Sequence, residues 1–220
     1  MDQNLPRDLE VPATVGYELQ AYDGGLESLG SYWAEFPIPG VHCRRCLSTL
    51  DFEYVSRSAA VEGVWDVIDI QGRCIVGDRF RQFCLSNGFA DVELPCVDAA
   101  RGYYELRPTR ILEVDLSRSE PLLRDFCSVC GNFESYVNGR GLFLTDVTHP
   151  LPHGIYRTDL IVGCGIGKHP RIIVAPETAG KMDSLRLSRM ELRPVPYIDP
   201  NFDRRKAEID SAYTHLRNQR

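Results

Sequence analysis

A chain of 220 residues with 43% hydrophobic and 25% charged side chains has enough apolar mass to bury a core, which excludes bulk disorder. A net charge of -6 and a pI near 5.4 argue against a nucleic-acid binder, which usually carries a basic patch, and suit a protein that meets a basic partner. No run of 18 apolar residues occurs and MDQNLPRDLEVPATVG has no apolar h-region, so no membrane span and no secretory leader are expected, and the expected location is cytoplasmic.

In chain order, residues 1–15 read as a loose lead-in. YWAEFPI at 32–38 reads as a short strand running into Pro39-Gly40 and a first cysteine pair, Cys43-Arg44-Arg45-Cys46. TLDFEYVS at 49–56 alternates apolar and polar residues, as a strand does. Residues 74–97 read as strand, helix, strand, with Phe80, Phe83 and Cys84 on one helical face and Asn87-Gly88 as a stop signal. Residues 103–107 and 110–116 read as two strands parted by Pro108. The second cysteine pair follows at Cys127-Ser128-Val129-Cys130-Gly131. The segment from Gly163 to His169 is one residue short of a Walker phosphate loop and has His169 where Ser or Thr is needed, so it reads as a glycine turn before a strand at 171–175. Pro176 suits the first turn of a further helix. The tail at 203–219 carries an apolar stripe of Ile209, Ala212, Tyr213 and Leu216 on an otherwise charged segment, which reads as a docked or partly frayed helix.

An internal repeat ties two of these segments together. At a constant offset of 98, Ile75-Val76 falls on Ile173-Val174, Glu93-Leu94 on Glu191-Leu192, and Val97 on Val195. Each unit follows one cysteine pair. The expectation is an α+β fold of mixed or antiparallel strands with a few short helices. It forms one domain over 1–220 with pseudo-repeats at 30–118 and 119–197.

The cysteines carry the chemistry. Eight cysteines in a reducing compartment read as metal ligands, small buried hydrophobes or reactive groups, not as disulfides. Two residues between thiolates let a tight turn aim both sulfurs at one ion, and zinc takes four such ligands in a tetrahedron. Cys43, Cys46, Cys127 and Cys130 are therefore expected to bind one structural Zn2+. A filled coordination sphere leaves no place for an activated water, so no enzymatic role is expected. The pairs stand some eighty residues apart, far more than in a simple zinc ribbon. Two separate pairs of buried cysteines and a redox pair are the alternatives. Cys84 is expected in the core, as are Cys74, Cys96 and Cys164, with reactivity the alternative for these last three.

The arrangement resembles the double-CXXCG proteins, first noted as myxobacterial paralogues, which include immunity proteins for Sit-type lipoprotein toxins. The likeness extends over residues 30–197: the segment ending VELPCV after the first pair, YYELRP and ILEVDL before Cys127, and RIIVAPE, a helix and RMELRPVP after the second pair. One departure is that Leu47, not glycine, follows Cys46. The resemblance implies an immunity protein that binds a cognate toxin and blocks it by occlusion; the absence of a long apolar run and the acidic charge lead to the expectation of no membrane partner and against a nucleic-acid one. A zinc-ribbon module for nucleic acid or transcription machinery is the alternative, on the strength of Arg44-Arg45. Further readings are His42 as a substitute ligand, and His149 with His153 as a second metal site or a solvated loop. Asp66, Asp69, Asp78 and Asp91 with Trp33 and Trp65 read either as an acidic surface with an aromatic anchor or as solvated face and core.

Overall fold

The computed structural model describes residues 14–21, 30–33, 36–56, 59–137 and 141–196. The first elements are β1 (Thr14–Ala21), β2 (Gly30–Ser31), β3 (Ala60–Val61), β4 (Val67–Ile70), β5 (Arg73–Gly77), α1 (Asp78–Ser86), β6 (Val92–Glu93), β7 (Cys96–Asp98), β8 (Tyr103–Glu105), β9 (Arg107–Pro108) and β10 (Ile111–Leu112). There follow α2 (Leu116–Ser119), β11 (Leu122–Phe126), β12 (Phe133–Val137), β13 (Ile155–Cys164), a short 3-10 turn at Gly165–Gly167, β14 (His169–Val174), α3 (Pro176–Ser184) and β15 (Met190–Pro196). The fold is mostly strands with a few short helices, as expected.

Two sheets dominate. The larger runs β11-β12-β13-β14-β1-β15 with antiparallel neighbours, and β10 adds to β13 in parallel. The smaller is antiparallel in the order β4-β5-β8-β7, and β2-β3 and β6-β9 form two short ladders. β4 and β5 are joined by Gln71-Gly72, both at positive φ (54° and 78°), the conformation that tight hairpins need. Gly72 has a second constraint: a Cβ there would lie 2.7 Å from the Gly167 backbone, where the hairpin abuts the β13–β14 turn.

Alternation along the strands builds three cores. On β5, Ile75 faces a cluster with Tyr32, Trp33, Ile68, Ile70 and Tyr103, while Val76 faces a cluster with Val67 and Phe80. On β14, Ile172 and Val174 join that same Val76–Phe80 cluster, while Ile173 faces Val15, Val114, Tyr156 and Val195. The middle cluster lies between the two sheets and takes in both long helices. α1 contributes Phe80, Phe83 and Cys84, as its spacing predicts, and α3 contributes Ala179 and Met182. Beneath these cores sits a buried charge network. Arg73 Nη1 meets Glu105 Oε1 at 2.9 Å, the Tyr32 hydroxyl donates to Glu105 Oε2 at 2.6 Å, and both charged side chains are almost fully buried.

Several expected elements differ. Of the strand expected at 32–38, the described residues 32–33 and 36–38 are not strand: Pro37 and Pro39 lack N–H donors, and the Ile38 carbonyl accepts from Val41 and His42 in a turn. Residues 49–56 are not a strand either, because Asp51 Oδ1 accepts from the backbone N–H groups of Glu53 and Tyr54 and bends the chain. The strand expected at 103–107 is divided at Leu106, and Pro108 sits inside β9 instead of marking a break. The strand expected at 110–116 is only β10, since Asp115 caps α2 by accepting from Arg118 N. The tail helix at 203–219 and most of the lead-in lie outside the described residues.

The repeat offset of 98 reappears in the helices, since α1 spans 78–86 and α3 spans 176–184. The strands that follow diverge. β6 pairs with β9 in a separate ladder, whereas β15 pairs with β1 in the large sheet.

Candidate metal centre

Each cysteine pair sits in a turn closed by the same two backbone bonds. Cys43 N donates to Ser48 O at 2.9 Å and Leu47 N to Cys43 O at 2.9 Å; in the second turn Cys127 N donates to Asn132 O at 2.8 Å and Gly131 N to Cys127 O at 2.9 Å. The turn requires a left-handed residue after the second cysteine, met by Gly131 at φ 72° and by Leu47 at φ 60°. The first turn thus keeps the knuckle geometry without its glycine, at a backbone cost of about 1–2 kcal/mol.

The turns face each other across 84 residues of chain. Cys43 Sγ lies 3.8 Å from Cys127 Sγ, and Cys46 Sγ lies 3.7 Å from Cys130 Sγ. All four sulfurs lie within 4.8 Å of one another, and three of the four cysteines are buried. Metal–sulfur bonds of about 2.3 Å in a tetrahedron set sulfurs about 3.8 Å apart, so spacing and donor set both fit one thiolate-bound ion. The distances are far beyond a disulfide bond, and all eight cysteines are free.

The surroundings favour the thiolate at Cys43 and Cys127. Backbone N–H groups of Cys46 and Arg45 pull the Cys43 thiol down to about 6, and those of Cys130 and Val129 lower Cys127. Burial pushes Cys130 up to about 11, against the Asn132 amide. Outside the sulfurs, the Cys46 thiol contacts Ser48 Oγ at 3.3 Å, and Arg45 Nη1 donates to Ser128 Oγ at 3.1 Å, linking one turn to the other.

The four ligands expected from sequence are therefore brought together. His42 is not among them: its Nδ1 accepts from Ile38 N at 3.1 Å, and its ring packs edge-on against Trp33 and Phe36, where burial lowers its pKa. His149 is exposed, while His153 pairs with Thr178 and Glu177, so the two do not form a second site. Cys84 is buried, and burial raises its thiol to about 12. The expectation of burial fails for Cys96 and Cys164, which are exposed, and Cys74 is only half-buried. Cys96 lies on β7 and Cys164 at the end of β13, where the strand face turns to solvent. Of the glycine segment, Gly163 and Cys164 end β13, and the expected turn before the next strand is Gly165–Gly167.

The acidic surface with an aromatic anchor is not assembled. Trp33 is a core residue, Asp66 is buried and accepts from Arg79 and Ser188, and Trp65 packs under the Arg189 guanidinium at 3.8 Å. Sequence reading missed the support residues Ser48 and Ser128, which no spacing rule singles out. No helix among the described residues is long and apolar enough to cross a membrane. No protein-family model matches the chain, and no curated protein matches it at a significant level.

Proposed function

We propose that the protein is a cytoplasmic immunity protein that binds a cognate toxin and blocks it by occlusion, with the four cysteines holding a structural Zn2+. Four thiolates select a soft or borderline ion such as zinc and close its coordination sphere, so the metal positions backbone and does no chemistry. The reading includes a tandem repeat, each unit a knuckle followed by strand and helix; the 98-residue offset between α1 and α3 supports it.

One observation carries the binding role. The hairpin β11–β12, which flanks the second knuckle, exposes large apolar side chains: Leu122 is 51% exposed, Phe126 61% and Val137 48%. Register pairs Leu122 with Val137 and Phe126 with Phe133, so alternation gathers them on one face. Clustered exposed apolar residues of this kind mark protein contact surfaces. The resemblance to double-CXXCG proteins supplies the kind of partner. Co-expression with a toxin encoded beside the gene should restore growth and give a complex on a sizing column; neither result appearing would end this reading.

A zinc-ribbon module for nucleic acid or transcription machinery is the second reading. Arg44, exposed on the first knuckle, favours it, and the net charge of -6 opposes it. DNA or RNA affinity that falls steeply with salt would select it.

A further inference from the structure

The path of the large sheet ends in two edge strands, β15 and β11. An open edge offers unpaired N–H and C=O groups to any incoming strand, and proteins normally blunt it. β15 is blunted by Pro194 and Pro196, which have no N–H to give. β11 is not: Leu122–Phe126 holds no proline or lysine, and each of its residues is exposed. Among the described residues β11 pairs with β12 alone. Its one irregularity is Asp125, at φ 56°, which drops out of the ladder between the pairs Arg124–Ser135 and Phe126–Phe133.

The strand is also pre-formed. The loop that joins β11 to β12 is the second cysteine knuckle, whose sulfurs face those of the first. Binding at this edge therefore carries little cost of ordering it. Alternation puts Leu122, Arg124 and Phe126 on one face, beside Val137, Ser135 and Phe133. Arg124 is the only charged residue of these six; it is exposed and has no carboxylate partner among the described residues. A second copy of the chain fits the edge poorly. The two-fold antiparallel register that overlaps the whole strand sets Arg124 against Arg124, and like charges placed opposite one another are destabilising. What fits is a strand with a carboxylate opposite Arg124 and apolar residues two positions to either side, against Leu122 and Phe126.

We propose that β11 takes an added strand from the partner, an extended apolar-x-acid-x-apolar segment that pairs antiparallel with Leu122–Phe126 and lengthens the large sheet. This mode of binding rests on the immunity reading, so the segment belongs to the toxin. Main-chain bonds to the β11 edge supply affinity, and Arg124 with its apolar neighbours selects the sequence.

The test uses the full metal-loaded chain and the purified toxin encoded beside the gene. Calorimetric titration should give one site, and Arg124→Glu should weaken it about tenfold or more, because it sets like charges opposite in place of a pair. Hydrogen exchange on the parent protein reads the backbone directly: amides within 122–126 that face away from β12 should exchange at least about tenfold more slowly in the complex. No complex ends the immunity reading and this mode of binding with it. A complex in which those amides exchange as in the free chain, or to which Arg124→Glu contributes as tightly as the parent, overturns the added strand and leaves the immunity reading standing. Protection of the same amides without toxin, together with a dimer in sedimentation, also overturns it, since the occupant is then a second copy.

Discussion

Alanine should destabilise the protein at Gly131 and stabilise it at Gly180, although each substitution adds one methyl group to open space. At both positions a Cβ meets no atom within 4 Å, so packing contributes nothing to the difference. Gly131 closes the second knuckle at φ 72°, where a Cβ crowds its own backbone by about 1–2 kcal/mol. Alanine recovers about 0.4–1 kcal/mol of that by restricting the unfolded chain, which leaves a net loss of about 1 kcal/mol. Gly180 sits in the middle of α3, where replacing glycine by alanine gains about 0.5–1 kcal/mol. Position 47 extends the logic. Leu47 occupies the equivalent left-handed position, so Leu47→Gly should be more stable than Leu47→Ala by about 1 kcal/mol, reversing the usual order. Both variants lose the same exposed side chain, so their comparison isolates the backbone. Urea unfolding of the metal-loaded protein reads these differences, and about 1 kcal/mol corresponds to about 2–4 °C in Tm at this size. Gly131→Ala as stable as the parent, or Leu47→Ala as stable as Leu47→Gly, would refute the left-handed knuckle.

Three further outcomes are expected. Removing the metal with a chelator should free β11, β12 and the first knuckle while leaving the cores folded; hydrogen exchange should show protection lost at 122–137 and 41–50 and kept at 67–76 and 172–174. Burial raises the Cys84 thiol from 9.0 to about 12. Its contribution is therefore whole below pH 9, where both states keep the proton, and is lost as pH climbs towards 12, because the unfolded chain releases its proton first. Urea midpoints across that window should fall less steeply in Cys84→Ala than in the parent. Glu105→Gln should cost about 3–5 kcal/mol in urea unfolding, since it leaves the buried Arg73 charge uncompensated; a loss below 1 kcal/mol would mean the pair is solvated.

What was legible in the sequence was local. The four-cysteine cluster could be read because a C-x-x-C turn fixes its own geometry within five residues, and two such turns offer the four sulfurs of one coordination sphere. α1 and α3 could be read because Phe80, Phe83 and Cys84 recur at helical spacing and because Pro176 opens a helix. The alternation at 49–56 does not make a strand, because alternation is cheap in short segments. There a single side chain, Asp51, redirected two backbone donors. Pairing partners were invisible: nothing in residues 92–93 and 190–191 announces that one goes to β9 and the other to β1.

A metal held by the four cysteines would act on one part of the molecule only. None of the three apolar cores contains a residue from 122–137, and the fourth buried cluster consists of the cysteines alone. β11 is exposed along its whole length. Its hairpin is tied to the large sheet through β12, by the pairs Ser135–Cys164 and Tyr136–Gly163, and by the Lys168 ammonium on the Phe133 carbonyl. Two paired positions hold a five-residue strand only loosely. Loop closure over 84 residues costs little more than over 40, whereas a closed tetrahedron fixes both turns within tenths of an ångström. An ion at this point therefore adds little to the cores and much to the position of one surface. Under the proposed function, that surface is the one the partner meets.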